Sequence, residues 1–229
     1  HTVTSSDTNY SGITIGDVRV IISDNDLSVG DPIFQAPQTS NYYLSNIGTE
    51  ASPTFADLDS DGDLDALIGN NDGNSLYFQN TGATNSPAFA AAVTNPFGLS
   101  DVGIRANPAL ADLDGDGDLD ALIGSQDGKS RYFQNTGTAT SPAFAPFIEN
   151  PFGLTDVGYA NPSLVDLDND GDLDAFLGRM NGNSFYFQNT GTASNPAFAT
   201  AVSNPFGFSY VDLGVSPTLA DLDGDGDLD

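Results

Sequence analysis

ADLDGDGDLD occupies residues 111–120 and returns letter for letter at 220–229. Near copies read ADLDSDGDLD at 56–65 and VDLDNDGDLD at 165–174. Each window carries five aspartates at alternate positions of a nine-residue loop, with glycine at the sixth. The four windows together hold twenty of the 32 acidic residues of a 229-residue chain. Charge gathered this densely repels itself unless a cation neutralises it.

The first aspartates of the loops stand at 57, 112, 166 and 221, so the spacing is 55, 54 and 55 residues. The surrounding sequence keeps the same period. DALIG at 65–69 recurs at 120–124 and as DAFLG at 174–178, and YFQNTG recurs unchanged at 77–82, 132–137 and 186–191. PAFA follows at 87–90, 142–145 and 196–199, and NPFG at 95–98, 150–153 and 204–207. A repeat of this length indicates a propeller blade or a similar stacked unit.

Within a unit the signals are β throughout. PTFAD reads as a first strand, LDALIGN as a second and SLYFQN as a third, while PAFAAAV opens a fourth. Asn-Asp-Gly-Asn at 71–74 predicts a tight hairpin, because glycine tolerates positive φ. Gly and Pro recur too often for helices. The expected fold is all-β, a β-propeller of four-stranded blades of about 55 residues, with the acidic loop between first and second strands. Residues 32–53 align with 87–108 at a shift of 55 residues. We therefore divide the chain into 28–53, the outer strand of a closing blade; full repeats at 54–108, 109–162 and 163–217; and 218–229, the start of another. Three full units are too few for a ring of four to eight blades, so the ring is expected to be incomplete. Residues 1–27, with Val18, Val20 and Ile22 alternating, read as the last strands of a preceding β-sandwich-like domain or linker.

The glycine of each loop permits a sharp bend that turns carboxylates toward one point. Six to eight hard oxygen ligands in flexible geometry suit Ca²⁺. In the first loop the side chains of Asp57, Asp59, Asp61 and Asp65 with the backbone carbonyl of Asp63 would supply most of the shell. The corresponding candidates are Asp112, Asp114, Asp116, Asp118 and Asp120; Asp166, Asp168, Asp170, Asp172 and Asp174; and Asp221, Asp223, Asp225, Asp227 and Asp229. One Ca²⁺ per loop gives up to four. Leu64 and its equivalents Leu119, Leu173 and Leu228 are expected to plug the loops into the core. A helix–loop–helix calcium hand requires an acid at loop position 12, where this chain has Ile68, Ile123 and Leu177.

On these residues the chain resembles the FG-GAP (integrin α-type, or VCBS-like) propeller repeats, whose loop reads D-x-D-x-D-G-x-x-D. The resemblance covers about residues 32–229 and implies calcium at the named aspartates. It departs from that pattern in an additional aspartate at loop position 7. The opening segment resembles the ends of Calx-beta or cadherin-like modules of large bacterial surface proteins.

The remaining composition narrows the function. The formal charge of −27 disfavours nucleic acid and anionic lipid. There is no cysteine and the single histidine is His1, which removes thiolate chemistry and the usual general base, so an enzyme is not expected. No apolar run reaches membrane-span length. The Tyr-Phe pairs at 77–78, 132–133 and 186–187 are expected to pack between blades rather than stack on sugars. The hairpin after the second strand varies most and holds Lys129, Arg131 and Arg179; surface drift explains it better than a binding face. The expectation is a calcium-stabilised extracellular module, secreted or on a cell surface, that mediates adhesion or binds a protein or glycan. The alternative is a purely architectural block of a surface layer or filament, with self-association.

Overall fold

In a computed structural model the described residues are 44, 46–211, 214–221 and 228. The expected remnant at 1–27, most of the 28–53 strand and Asp223, Asp225, Asp227 and Asp229 lie outside them. Everything described belongs to one compact unit, Ser40–Asp229.

Three four-stranded antiparallel sheets follow one another along this unit. The first is β1 (Ser52–Ala56), β2 (Asp65–Gly69), β3 (Ser75–Phe78) and β4 (Val93–Thr94). The second is β5 (Asn107–Ala111), β6 (Asp120–Gly124), β7 (Ser130–Phe133) and β8 (Ile148–Glu149). The third is β9 (Asn161–Val165), β10 (Asp174–Gly178), β11 (Ser184–Phe187) and β12 (Val202–Ser203). Within each, spatial order equals sequence order, the meander that short hairpin connections impose. The first strands of successive sheets neighbour one another, β1 beside β5 and β5 beside β9.

The second strand of every sheet is buried along its whole length. It is covered on both faces, which is why DALIG reads as continuous apolar sequence rather than as an alternation. The hairpin expected at 71–74 forms: the Asn70 amide donates to the Asn74 carbonyl at 3.0 Å and Gly73 takes φ 81°.

The outer strand is shorter and later than expected. PAFA contributes one bridge, Asn80↔Phe89, before the ladder resumes at Tyr77↔Val93 and Leu76↔Thr94. Strand β3 advances three residues between these pairings and the outer chain four, so one extra residue sits on the outer strand, a β-bulge. The same offset separates Asn135↔Phe144 from Tyr132↔Ile148, and Asn189↔Phe198 from Tyr186↔Val202. Pro87 has no amide to give the ladder, and the bulge lets the chain re-enter register at β4. A one-turn 3₁₀ segment follows each outer strand, at Pro96–Gly98, Pro151–Gly153 and Pro205–Gly207.

The core lies between sheets. Leu67 and Tyr77 of the first sheet and Leu99 and Val102 beyond it pack against Ala121, Ile123, Phe133 and Phe144 of the second. Leu122, Tyr132, Leu154 and Val157 repeat that contact against Ala175, Leu177, Phe187 and Phe198. The Tyr-Phe pairs are thus core, as expected. Close approach is written into the last residue of the second strand. A Cβ on Gly69 would stand 2.0 Å from the carbonyl oxygen of Ala106, which leads into the first strand of the next sheet, and one on Gly124 2.3 Å from that of Ala160.

One packing expectation is corrected. The leucine at loop position 8 is not the uniform plug expected: Leu119 and Leu173 are half-buried and pack against the core, whereas Leu64 is 55 % exposed. Leu58 and Leu113, at position 2, are the buried ones. Position 2 leaves the first strand still facing the neighbouring sheet, whereas position 8 follows the loop and depends on a preceding sheet to cover it.

Candidate metal centre

Each of the three described acidic loops joins the first and second strands of its sheet. Its first aspartate closes the turn: Asp57 accepts from the amides of Asp61 at 3.1 Å and Gly62 at 3.0 Å. Asp112 and Asp166 do the same for Gly117 and Gly171, each at 3.0 Å. The bend anticipated at the sixth position is present, with φ of 98° at Gly62, 94° at Gly117 and 95° at Gly171. The fourth position is also left-handed, at Ser60, Gly115 and Asn169. That need was not legible from the residue types, because serine does not signal it.

The bend brings three carboxylates together. Asp57, Asp59 and Asp61 each offer an oxygen within 4.8 Å of the others, as do Asp112, Asp114 and Asp116, and Asp166, Asp168 and Asp170. These are positions 1, 3 and 5.

Position 9 is held differently. Asp65 accepts from the Asn80 amide at 2.7 Å on one oxygen, and from the Tyr77 hydroxyl at 2.9 Å and the Leu58 amide at 3.2 Å on the other. Asp120 and Asp174 repeat this with Asn135, Tyr132 and Leu113, and with Asn189, Tyr186 and Leu167. Burial pushes the Asp120 carboxyl up to about 6 against those three donors. Burial likewise raises Asp65 and Asp174. These three aspartates fasten the loop to the third strand, and the structure does not group them with positions 1, 3 and 5.

Position 7 is the unusual one. Asp63, Asp118 and Asp172 are each 8 % exposed, and Oδ1 of each is buried without a hydrogen-bond partner. Burial, and then the charges of the neighbouring loop aspartates, raise all three carboxyls. Asp59 Oδ1 is a fourth buried oxygen without a donor. Unpartnered carboxylate oxygens beside converging carboxylates are costly in isolation. They fit a hard cation, and the donor set is all oxygen.

Sequence reasoning missed the supports on the third strand. The Gln79 amide donates to Asp59 Oδ2 at 2.7 Å, and Gln134 and Gln188 donate to Asp114 and Asp168 at 2.6 Å. Asn80, Asn135 and Asn189 accept from two backbone amides each and so brace the strand after it leaves the loop. The invariance of YFQN among the units was the available signal; pleat direction, which assigns Tyr and Gln to the loop, was not.

The variable hairpin resolves into internal contacts. Lys129 pairs with Glu149 at 2.6 Å, and the Arg131 guanidinium, nearly buried, with Asp127 at 2.8 Å. Arg179 Nε donates to the Gly158 carbonyl at 3.1 Å. Burial opposes ionisation of Asp127, but Arg131, Ser125 and the Lys129 amide outweigh it and lower its pKa to about 2.

The FG-GAP-like repeat family model matches residues 57–123, 112–177 and 166–229. No curated protein matches the chain. Among the described residues no helix is long and apolar enough to cross a membrane.

Proposed function

The chain belongs to the FG-GAP-like repeat family, and from that premise we propose a calcium-stabilised extracellular repeat module of propeller type, which presents a surface to a protein or glycan. The carrying observation is the threefold recurrence of converging aspartates at positions 1, 3 and 5 beside a buried aspartate oxygen without a donor. Bound Ca²⁺ would supply the positive charge that these oxygens lack.

The residues that would hold it are Asp57, Asp59 and Asp61 and their equivalents, with position 7 adjoining. The chain's own part is to present them. Position 1 fixes the turn through backbone amides, glutamine steers position 3, and position 9 ties the loop to the third strand. Extracellular modules bind at about 10⁻⁴ to 10⁻³ M, a level that keeps such sites filled outside cells. A structural role follows, in which folding is linked to the cation. We propose no catalytic role.

The test is a thermal melt with isothermal titration of calcium chloride. Excess EDTA should lower the melting temperature and calcium restore it, with one ion per intact loop. An unchanged melt in EDTA overturns the reading. Binding to glycan arrays or cells then distinguishes a recognition module from an architectural block.

A further inference from the structure

The residue two places before the first strand of each sheet takes a left-handed backbone. Glu50 stands there at φ 57°, Arg105 at 63° and Tyr159 at 88°, and the equivalent residue of the next unit is Gly214, at 69°. Glycine holds that conformation without strain, yet three of the four units keep a side chain there. Strain of this kind persists where function requires it. The side chains also differ in kind, an acid, a base and an aromatic, on a connection of the sort that carries function.

The three side chains meet. Arg105 makes a two-pronged ion pair with Glu50 through Nε and Nη2, and its guanidinium lies over the Tyr159 ring, 5.6 Å from the centroid. Arg105 Nη1 has only the Met180 thioether, at 3.3 Å, a weak acceptor. Asn107 steadies the Arg105 peptide by donating to its carbonyl at 3.1 Å and to that of Ala160 at 3.0 Å. Glu50, Arg105 and Tyr159 line a hollow of about 280 Å³. It shares Ser52, Asn161 and Ser216 with a second hollow of about 400 Å³ along the first strands. Among the described residues no charged side chain lines the second hollow, in a chain with 32 acids. The Asn161 carboxamide and the Ser52 and Ser216 hydroxyls have no hydrogen-bond partner among the described residues. The cluster joins consecutive units at the end of the first strands opposite the acidic loops.

We propose that this mouth binds a neutral saccharide. A sugar hydroxyl both donates and accepts, so it can take the Arg105 Nη1 hydrogen and give its own to Glu50 without breaking their ion pair. The Asn161 carboxamide and the two serine hydroxyls supply further donors and acceptors in the same hollow, the few convergent polar groups that fix a ligand's orientation. An anionic ligand would have to displace Glu50 and approach a chain of formal charge −27. A cationic one would have to displace Arg105 from both Glu50 and Tyr159. The inference rests on the recognition reading above, whose ligand class it names, and the aspartate loops take no part in it.

Saturation-transfer NMR of the whole chain in calcium tests this, with the methyl glycosides of glucose, galactose and mannose as probes and glucuronate and free arginine as charged controls. At least one neutral glycoside should bind saturably. Arg105→Gly, which installs the residue the chain already has at 214, and Asn161→Ala, which removes a side chain without a partner, should each weaken it by about tenfold or more. The melting temperature of both variants should hold, since glycine suits the left-handed backbone. Failure of every neutral glycoside to bind, binding of the charged probes alone, or binding indifferent to both variants overturns the proposal. Retention of the wild type on a glycan array after such a result would keep the recognition reading and move its site elsewhere; silence there as well would take that reading down too.

Discussion

The Tyr132 hydroxyl stands 2.9 Å from Asp120 Oδ2, a bond between adjacent strands that ties the end of the acidic loop to the third strand of its sheet. Tyr77 and Asp65 make it in the first sheet, and Tyr186 and Asp174 in the third at 2.8 Å. One carboxylate of each described loop is therefore held by protein donors.

Tyr132→Phe removes one donor from a buried carboxylate and leaves the ring in place. We expect a loss of about 1–3 kcal/mol of stability, read by urea unfolding and similar with and without calcium. A loss confined to calcium-loaded protein would assign Asp120 to the cation instead of to the strand.

Gln134 donates its side-chain amide to Asp114 Oδ2 at 2.6 Å. Gln134→Ala should weaken one of the bound ions by about tenfold, the usual effect of removing a residue that orients a ligand. Stability in EDTA should hardly change. Calorimetric titration reads the first and an EDTA melt the second; equal losses in both would make Gln134 a packing residue.

The pH dependence has two limbs. The folded pKa of Asp120 is raised by burial to about 6, against about 3.9 in an unfolded chain. The folded state therefore binds this proton more tightly, and stability without calcium should rise as pH falls from about 6 to 4. Asp127 is depressed to about 2. Its contribution is complete above pH 4 and lost as pH falls toward 2. Melts in EDTA should thus improve from pH 7 to pH 5, and a monotonic decline over that range contradicts the assignment.

Arg131→Leu tests the acid limb. The first unit carries Asp72 and Leu76 where the second has Asp127 and Arg131, so leucine suits the position. Asp127 is also half exposed and can be solvated. The change should cost about 1 kcal/mol at pH 7 and flatten the loss between pH 4 and 2. An unaltered acid limb would separate Asp127 from that arginine.

Gly124→Ala introduces a Cβ 2.3 Å from the Ala160 carbonyl oxygen. Backbone must move to admit it, at a cost of about 1–3 kcal/mol, measured by chemical unfolding. A neutral result would mean the sheets are not packed as closely as described.

The period, the strand-rich unit, the turn at Gly73 and the bend at Gly62 were legible in the sequence, because each depends on residues close together in the chain. A glycine demanded at positive φ and five aspartates in nine residues announce themselves locally. Tertiary structure decided which carboxylates converge and which is tied back. Asp65 meets Tyr77 and Asn80, 12 and 15 residues later, only through the pairing of β2 with β3. It likewise decided that Leu58, not Leu64, is buried, since burial there is conferred by the neighbouring sheet. A one-residue bulge in the outer strand shifts which side chains face that neighbour, and no run of letters records it. Local sequence fixes backbone conformation; the partner of a side chain follows from register and from what stacks against the sheet.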